Sequence, residues 1–148
     1  MTDSHLHTLY SHDGNATPEA VVEQAIKLGL DYIAFTDHID RDYLFICYDC
    51  FCQIELQKYV EHILALKEKY AGKIKIALGA ELGFLAEAND LYTKDIASAD
   101  FDVILNSTHT VFGHDMFFPS FFEVAGTQRN AYEAYLKTIR KSLDAPYQ

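Results

Sequence analysis

The sequence predicts an α/β fold built on a parallel sheet, and three observations carry that expectation. Short apolar runs alternate with amphipathic helical stretches four times along the chain. The intervening helices are long enough to act as crossovers, which makes the strands parallel and the connections right-handed. Polar residues with metal-ligand chemistry fall at the ends of the strands, where α/β folds bind their ligands.

The first strand is expected over residues 3–7, Asp3-Ser4-His5-Leu6-His7. Strand side chains alternate, so His5 and His7 point to one side and their ring nitrogens can converge on a metal ion. Asp3 has the same parity and is expected as a further ligand or as the partner of an imidazole N–H. Residues 8–16 form a polar loop carrying His12 and Asp13-Gly14-Asn15. Thr17-Pro18-Glu19 then starts a helix, with Thr17 as N-cap, Pro18 in the first position and an acid in the first turn. Val21, Val22, Ala25 and Ile26 recur at helical spacing, and Gly29 closes the helix.

Tyr32-Ile33-Ala34-Phe35 is a short, continuously apolar run of the kind found in buried parallel strands, and it ends in Thr36-Asp37-His38. Residues 39–52 are aromatic and irregular and are assigned no element. A long helix is expected over 53–70, stopped by Gly72, and a third strand over 73–79, running into Ala80-Glu81. A short helix over 88–98 precedes a fourth strand, 101–105, which delivers Asn106-Ser107-Thr108-His109. A loop rich in Phe (112, 117, 118, 121, 122) leads to a last helix over 128–143.

The chain's 148 residues suit one domain with a proper core. A formal charge of −10 argues against nucleic acid and against an anionic membrane surface as partners, and suits a site that gathers cations. No apolar run approaches the roughly 20 residues of a membrane span, and the polar N-terminus has no secretory core, so a cytoplasmic chain is expected. Cys47, Cys50 and Cys52 have no second cysteine pair to complete a structural zinc site and read as ordinary reduced thiols.

The candidate ligands are therefore His5, His7, His12, His38, Glu81 and His109, all at one end of one sheet. His62 sits on a helix face and reads as a surface residue; His114, in the aromatic loop, reads as a bystander.

Taken in order, Asp3-Ser4-His5-Leu6-His7-Thr8, Phe35-Thr36-Asp37-His38, Gly79-Ala80-Glu81 and Asn106-Ser107-Thr108-His109 resemble the successive motifs of the PHP (polymerase and histidinol phosphatase) family. The text around them is most similar to the histidinol-phosphate phosphatase branch. The resemblance implies a (β/α) barrel of the PHP type, holding up to three divalent metal ions (zinc, iron or manganese) and hydrolysing a phosphate monoester with metal-activated water. It implies His5 and His7 as ligands of one metal, Glu81 as the carboxylate bridging two, His109 on the second, and His12 with His38 on a third. Asp37 and Asp3 would fix imidazole tautomers, and Glu81 and Asp37 would form the catalytic core.

The family's later motifs, a histidine after another strand and a final Asp-x-His, are absent, and the chain holds about four βα units where a barrel needs more. Residues 1–148 are thus expected to be an amino-terminal portion of the domain. The open side would be covered by a missing C-terminal segment or by a homo-oligomer. Two functions follow: a metal-dependent phosphatase, with histidinol phosphate of histidine biosynthesis as the suggested small-molecule substrate, or a truncated, catalytically silent metal-binding module.

Overall fold

The computed structural model describes residues 1–41 and 54–147, and its main feature is a parallel sheet curled into part of a barrel. The elements in order are β1 (Thr2–Leu6), α1 (Pro18–Lys27), β2 (Tyr32–Phe35), β3 (His38–Ile39), α2 (Leu56–Lys69), β4 (Lys75–Gly83), a 3₁₀ turn (Ala86–Ala88), α3 (Asn89–Ala97), β5 (Val103–Ser107), β6 (Thr110–Val111), β7 (His114–Asp115), α4 (Pro119–Ala125) and α5 (Gln128–Ser142). The four expected strands and the principal helices are present. Cys47, Cys50 and Cys52 lie outside the described residues.

Local chemistry accounts for the helix starts. Thr17 Oγ1 accepts a hydrogen bond from the Ala20 backbone N–H, with Pro18 at the first helical position. Thr127 caps α5 in the same way through Asn130.

β4 organises the sheet. Its first half, 75–78, pairs in parallel with β2, which in turn pairs with β1. Beyond that point the same edge pairs with β3, His38 opposite Glu81, while the other edge takes β5 over 79–83. Gly79 sits at the changeover. A Cβ there would lie 2.7 Å from Phe35 O and 2.9 Å from Val103 O, so the converging backbones leave no room for a side chain. The Tyr59 hydroxyl of α2 ties the junction, donating to Phe35 O at 3.0 Å and Gly79 O at 2.8 Å.

One core lies between the sheet and α1 and α2, around Val22, Ile33, Phe35, Tyr59, Ile63 and Leu78. A second packs Ile39, Leu82, Phe84 and Tyr92 against Ala145 and Tyr147, which brings the end of the chain back over the last part of β4. The Phe-rich stretch, expected as a loop, instead forms the β6–β7 hairpin and α4. It builds a satellite core from Val111, Phe121, Ala125 and Ala131. Among the described residues, β1 and β5 pair along one edge each, so the sheet is open at both sides. No helix among these residues is long and apolar enough to cross a membrane.

Candidate metal centre

The carboxyl ends of the strands bring all six sequence-predicted ligands into one cluster. β4 is longer than expected, so Glu81 lies within the strand, with its side chain buried to 7% exposure. Around it stand His5 and His7 from the end of β1, His38 from β3, and His109 just after β5. Their Nε2 atoms converge on its carboxylate. His7 Nε2 is 3.0 Å, His38 Nε2 3.5 Å and His5 Nε2 3.7 Å from Glu81 Oε2, and His109 Nε2 is 3.2 Å from Oε1. His12, more exposed, stacks obliquely on His38 with ring centroids 5.0 Å apart.

The outward ring nitrogens have their own partners. His7 Nδ1 faces Asp13 at 3.0 Å, and His5 Nδ1 lies 3.1 Å from Thr36 Oγ1. Asp40 serves two rings, with Oδ2 3.0 Å from His38 Nδ1 and Oδ1 3.1 Å from His109 Nδ1. Such contacts fix which nitrogen carries the proton and turn the other toward the centre.

Two expectations need correction. Asp3 touches no imidazole; its Oδ1 accepts the His5 backbone N–H at 3.3 Å. The pairing register shifts between Asp3 and Leu6, so the alternation that ought to align Asp3 with the histidines is broken there. Asp37, expected to orient an imidazole, is fully buried and faces the loop after β1. It accepts from Thr8 N at 2.7 Å, Thr8 Oγ1 at 3.1 Å and Ser11 Oγ at 2.7 Å. Its work is to clamp that loop onto the end of β2. Gly14 closes the same loop against the Thr8 backbone, so tightly that a Cβ would overlap Thr8 O at 1.8 Å. The carboxylates beside the imidazoles are instead Asp13 and Asp40, neither of them expected from the sequence.

His62 lies apart from the centre, between Tyr10 and Glu19. His114 belongs to none of the candidate ligand groups among the described residues.

The electrostatics follow from crowding. Burial alone would raise the Glu81 carboxyl, but the adjacent His109 and His7 rings and the Ser107 hydroxyl outweigh it and hold the group well below the usual carboxylate range. The Glu81 carboxylate pushes the His7 pKa up to about 9 against the effect of burial, with help from Asp13. Burial likewise opposes charging of His109, yet Asp40 and Glu81 raise it to about 10. Asp40 is lowered by His109 and His38 despite its burial. Asp37 moves the other way, since burial outweighs its hydrogen bonds.

The donor set fits divalent cations. His5, His7 and Glu81 form one three-ligand group and His38, Glu81 and His109 a second, so Glu81 is common to both. His12, His38 and Asp40 form a third, and His7, Asp13 and His38 a fourth. Imidazole with carboxylate suits zinc, iron and manganese. His7 Nε2 and Glu81 Oε2 are both buried and, despite their proximity, neither makes a well-formed hydrogen bond, the unsatisfied state that a bound cation would relieve. The third group adds the Asp40 carboxylate to the expected pair of His12 and His38.

The same arrangement of strands occurs in known proteins. A solved chain from Listeria monocytogenes, assigned only provisionally as a histidinol phosphatase, superposes with a TM-score of 0.85 at 22% identity, over 100% of this chain and 63% of that one. Histidinol phosphate phosphatase from Lactococcus lactis subsp. lactis, solved with zinc, L-histidinol and phosphate, superposes with a TM-score of 0.69 at 31% identity, over 77% of this chain and 42% of its own. In sequence, histidinol-phosphatase of the same bacterium is 31% identical over 134 residues, 90% of this chain and 48% of the relative. That of Bacillus subtilis is 27% identical over 161 residues, 97% of this chain and 60% of the relative. The chain thus spans about half the length of the curated relatives it matches. The family model described as PHP domain matches residues 3–145, nearly the whole sequence, and with the motifs and the strand order in agreement the chain belongs to the PHP domain family.

Proposed function

We propose that this chain is the metal-binding part of a phosphatase that hydrolyses a phosphate monoester, with histidinol phosphate as the substrate. The observation that carries the reading is the convergence of four imidazole Nε2 atoms on the one buried carboxylate of Glu81. The substrate rests on likeness to relatives named for histidinol phosphate, one of them solved with L-histidinol and phosphate. Zinc is the proposed ion on the same ground, with the cytoplasm as the proposed compartment.

His5, His7 and Glu81 would hold one ion, and His38, Glu81 and His109 another. A divalent ion bound there neutralises phosphate oxygens and makes water a usable nucleophile near neutral pH. The chain's own contribution is to fix the geometry. Asp13 and Asp40 would keep protons on the outward Nδ1 atoms of His7 and His109, so that with an ion bound their Nε2 lone pairs face inward. Asp37 holds the loop that carries His12 and Asp13. Rigid strands rather than loops present Glu81 and His5, which suits a reaction catalysed by charge placement rather than by a side-chain nucleophile.

A second reading is a metal-binding module without turnover of its own. Its support is that the chain spans about half the relatives' length. Under either reading we take residues 1–148 as an amino-terminal portion of the domain, and place a further segment or a second copy on the open sheet. Metal content measured together with release of phosphate from histidinol phosphate and from an aryl phosphate decides between the two. Bound zinc with turnover supports the phosphatase, bound zinc without turnover the silent module, and no bound metal sinks both.

A further inference from the structure

We infer that Ser107 is a positioning residue that sets which oxygen of Glu81 each half of the metal centre receives. The inference rests on the metal-centre reading above and adds a residue to it. Ser107 ends β5, two residues before His109, and β5 runs parallel to β4 with Leu105 opposite Glu81 and Ser107 opposite Gly83. Its hydroxyl reaches the Glu81 carboxylate across the β4–β5 pair, donating to Oε1 at 2.6 Å. The same oxygen faces His109 Nε2 at 3.2 Å. Oε2 is left to His7, His38 and His5 and is otherwise without a hydrogen-bond partner.

A carboxylate shared by two ligand groups has to present its oxygens in different directions. Free rotation about the terminal bond of a glutamate is broad, so nothing in the side chain itself chooses that orientation. A short hydrogen bond to one oxygen removes the freedom. With Ser107 on Oε1, the carboxylate plane is held so that Oε1 faces His109 and Oε2 faces His5 and His7, with His38, shared between the two sides, 3.5 Å from Oε2. A hydroxyl is suited to the task, since it can donate to the ionised carboxylate without adding charge beside a cation.

The test is zinc titration of the whole chain, by calorimetry and by dialysis, for the unaltered protein, Ser107→Ala and Ser107→Thr. Loss of an outer hydrogen-bond partner of a metal ligand weakens binding by about 10- to 100-fold. The expected result is a weakening of that size in Ser107→Ala, confined to the ions that share Glu81, with binding restored in Ser107→Thr. Cobalt substitution supplies a second readout. Its visible absorption reports ligand geometry and should change in Ser107→Ala while the circular dichroism of the metal-free chain does not. A role limited to packing β5 predicts the opposite, a lower melting temperature of the metal-free chain with zinc affinity and cobalt spectrum unchanged, and overturns the inference. Unaltered protein that takes up no zinc overturns the metal-centre reading itself. Tight binding by both the unaltered chain and Ser107→Ala overturns only the role of Ser107.

Discussion

Both ends of the parallel sheet are dense in charge, and they handle it in opposite ways. At the amino end, Asp31, Lys67, Lys73, Lys75 and Asp102 surround a shallow open depression. The pairs there face water: Lys67 Nζ meets Asp102 Oδ2 at 2.6 Å with side chains 32% and 44% exposed, and the amino terminus meets Asp31 while more exposed still. At the carboxyl end, Glu81, Asp40 and His38 keep between 7% and 11% exposure. Solvent screens the first set, so each pair is worth little. The second set has lost its water, and its charges must be matched by protons or by metal ions. Charge density marks neither end as a site; burial of that charge does.

The comparison breaks first at Glu81. Glu81→Gln keeps the shape and removes the charge common to two ligand groups, and zinc affinity should fall by at least about 100-fold, more than the loss of an outer partner. Dialysis against buffered zinc checks this, and unchanged stoichiometry would refute the shared-carboxylate assignment. Next comes Asp40→Asn, which takes a carboxylate from both the His38 and His109 rings. A weakening of about 10- to 100-fold is expected, with the absorption of bound cobalt reporting the altered histidine geometry.

A further effect follows from pH. Zinc has to displace the protons that the metal-free chain holds on His7 and His109, whose pKa values are raised to about 9 and about 10. Affinity should therefore climb from pH 6 to 9, by up to about tenfold per pH unit for each proton released. The sign for the metal-free fold is the reverse. Both histidines have folded pKa values above the ordinary 6.5, so their pairing stabilises fully below that pH and the benefit is lost as pH rises through 9 to 10. Titration calorimetry in buffers of different ionisation enthalpy counts the protons. The smallest change belongs to the other end of the sheet. Lys67→Ala should cost less than about 1 kcal/mol in chemical denaturation and leave zinc binding untouched.

How much of this was legible depended on whether a residue obeyed strand periodicity. His5 and His7 could be paired from their spacing because an extended segment puts them on one side. The same rule, applied to His38 and Asp40, would have exposed Asp40, but β3 is only two residues long and gives no hydrophobic period to read. At Asp3 the rule misleads, because a register shift intervenes before Leu6. Asp13 looked like turn chemistry beside Gly14, and its contact with His7 depends on how the loop folds back. The hairpin after His109 was hidden for another reason. Its turn places Phe112 and Gly113 at φ of 56° and 71°, and a phenylalanine in the first of those positions is outside the usual turn vocabulary.

The partnering of β4 along both edges also bears on how the centre moves in time. Amides flanked by neighbours on each side open only when the surrounding sheet does, so β4 should be among the last segments to exchange with deuterium. Glu81 rides on that slow strand. His12 and Asp13, by contrast, are exposed residues of the loop that Asp37 pins to the end of β2, and their amides should exchange earlier. The two sides of one cluster should therefore keep different clocks, the loop side exchanging ahead of the strand that carries Glu81.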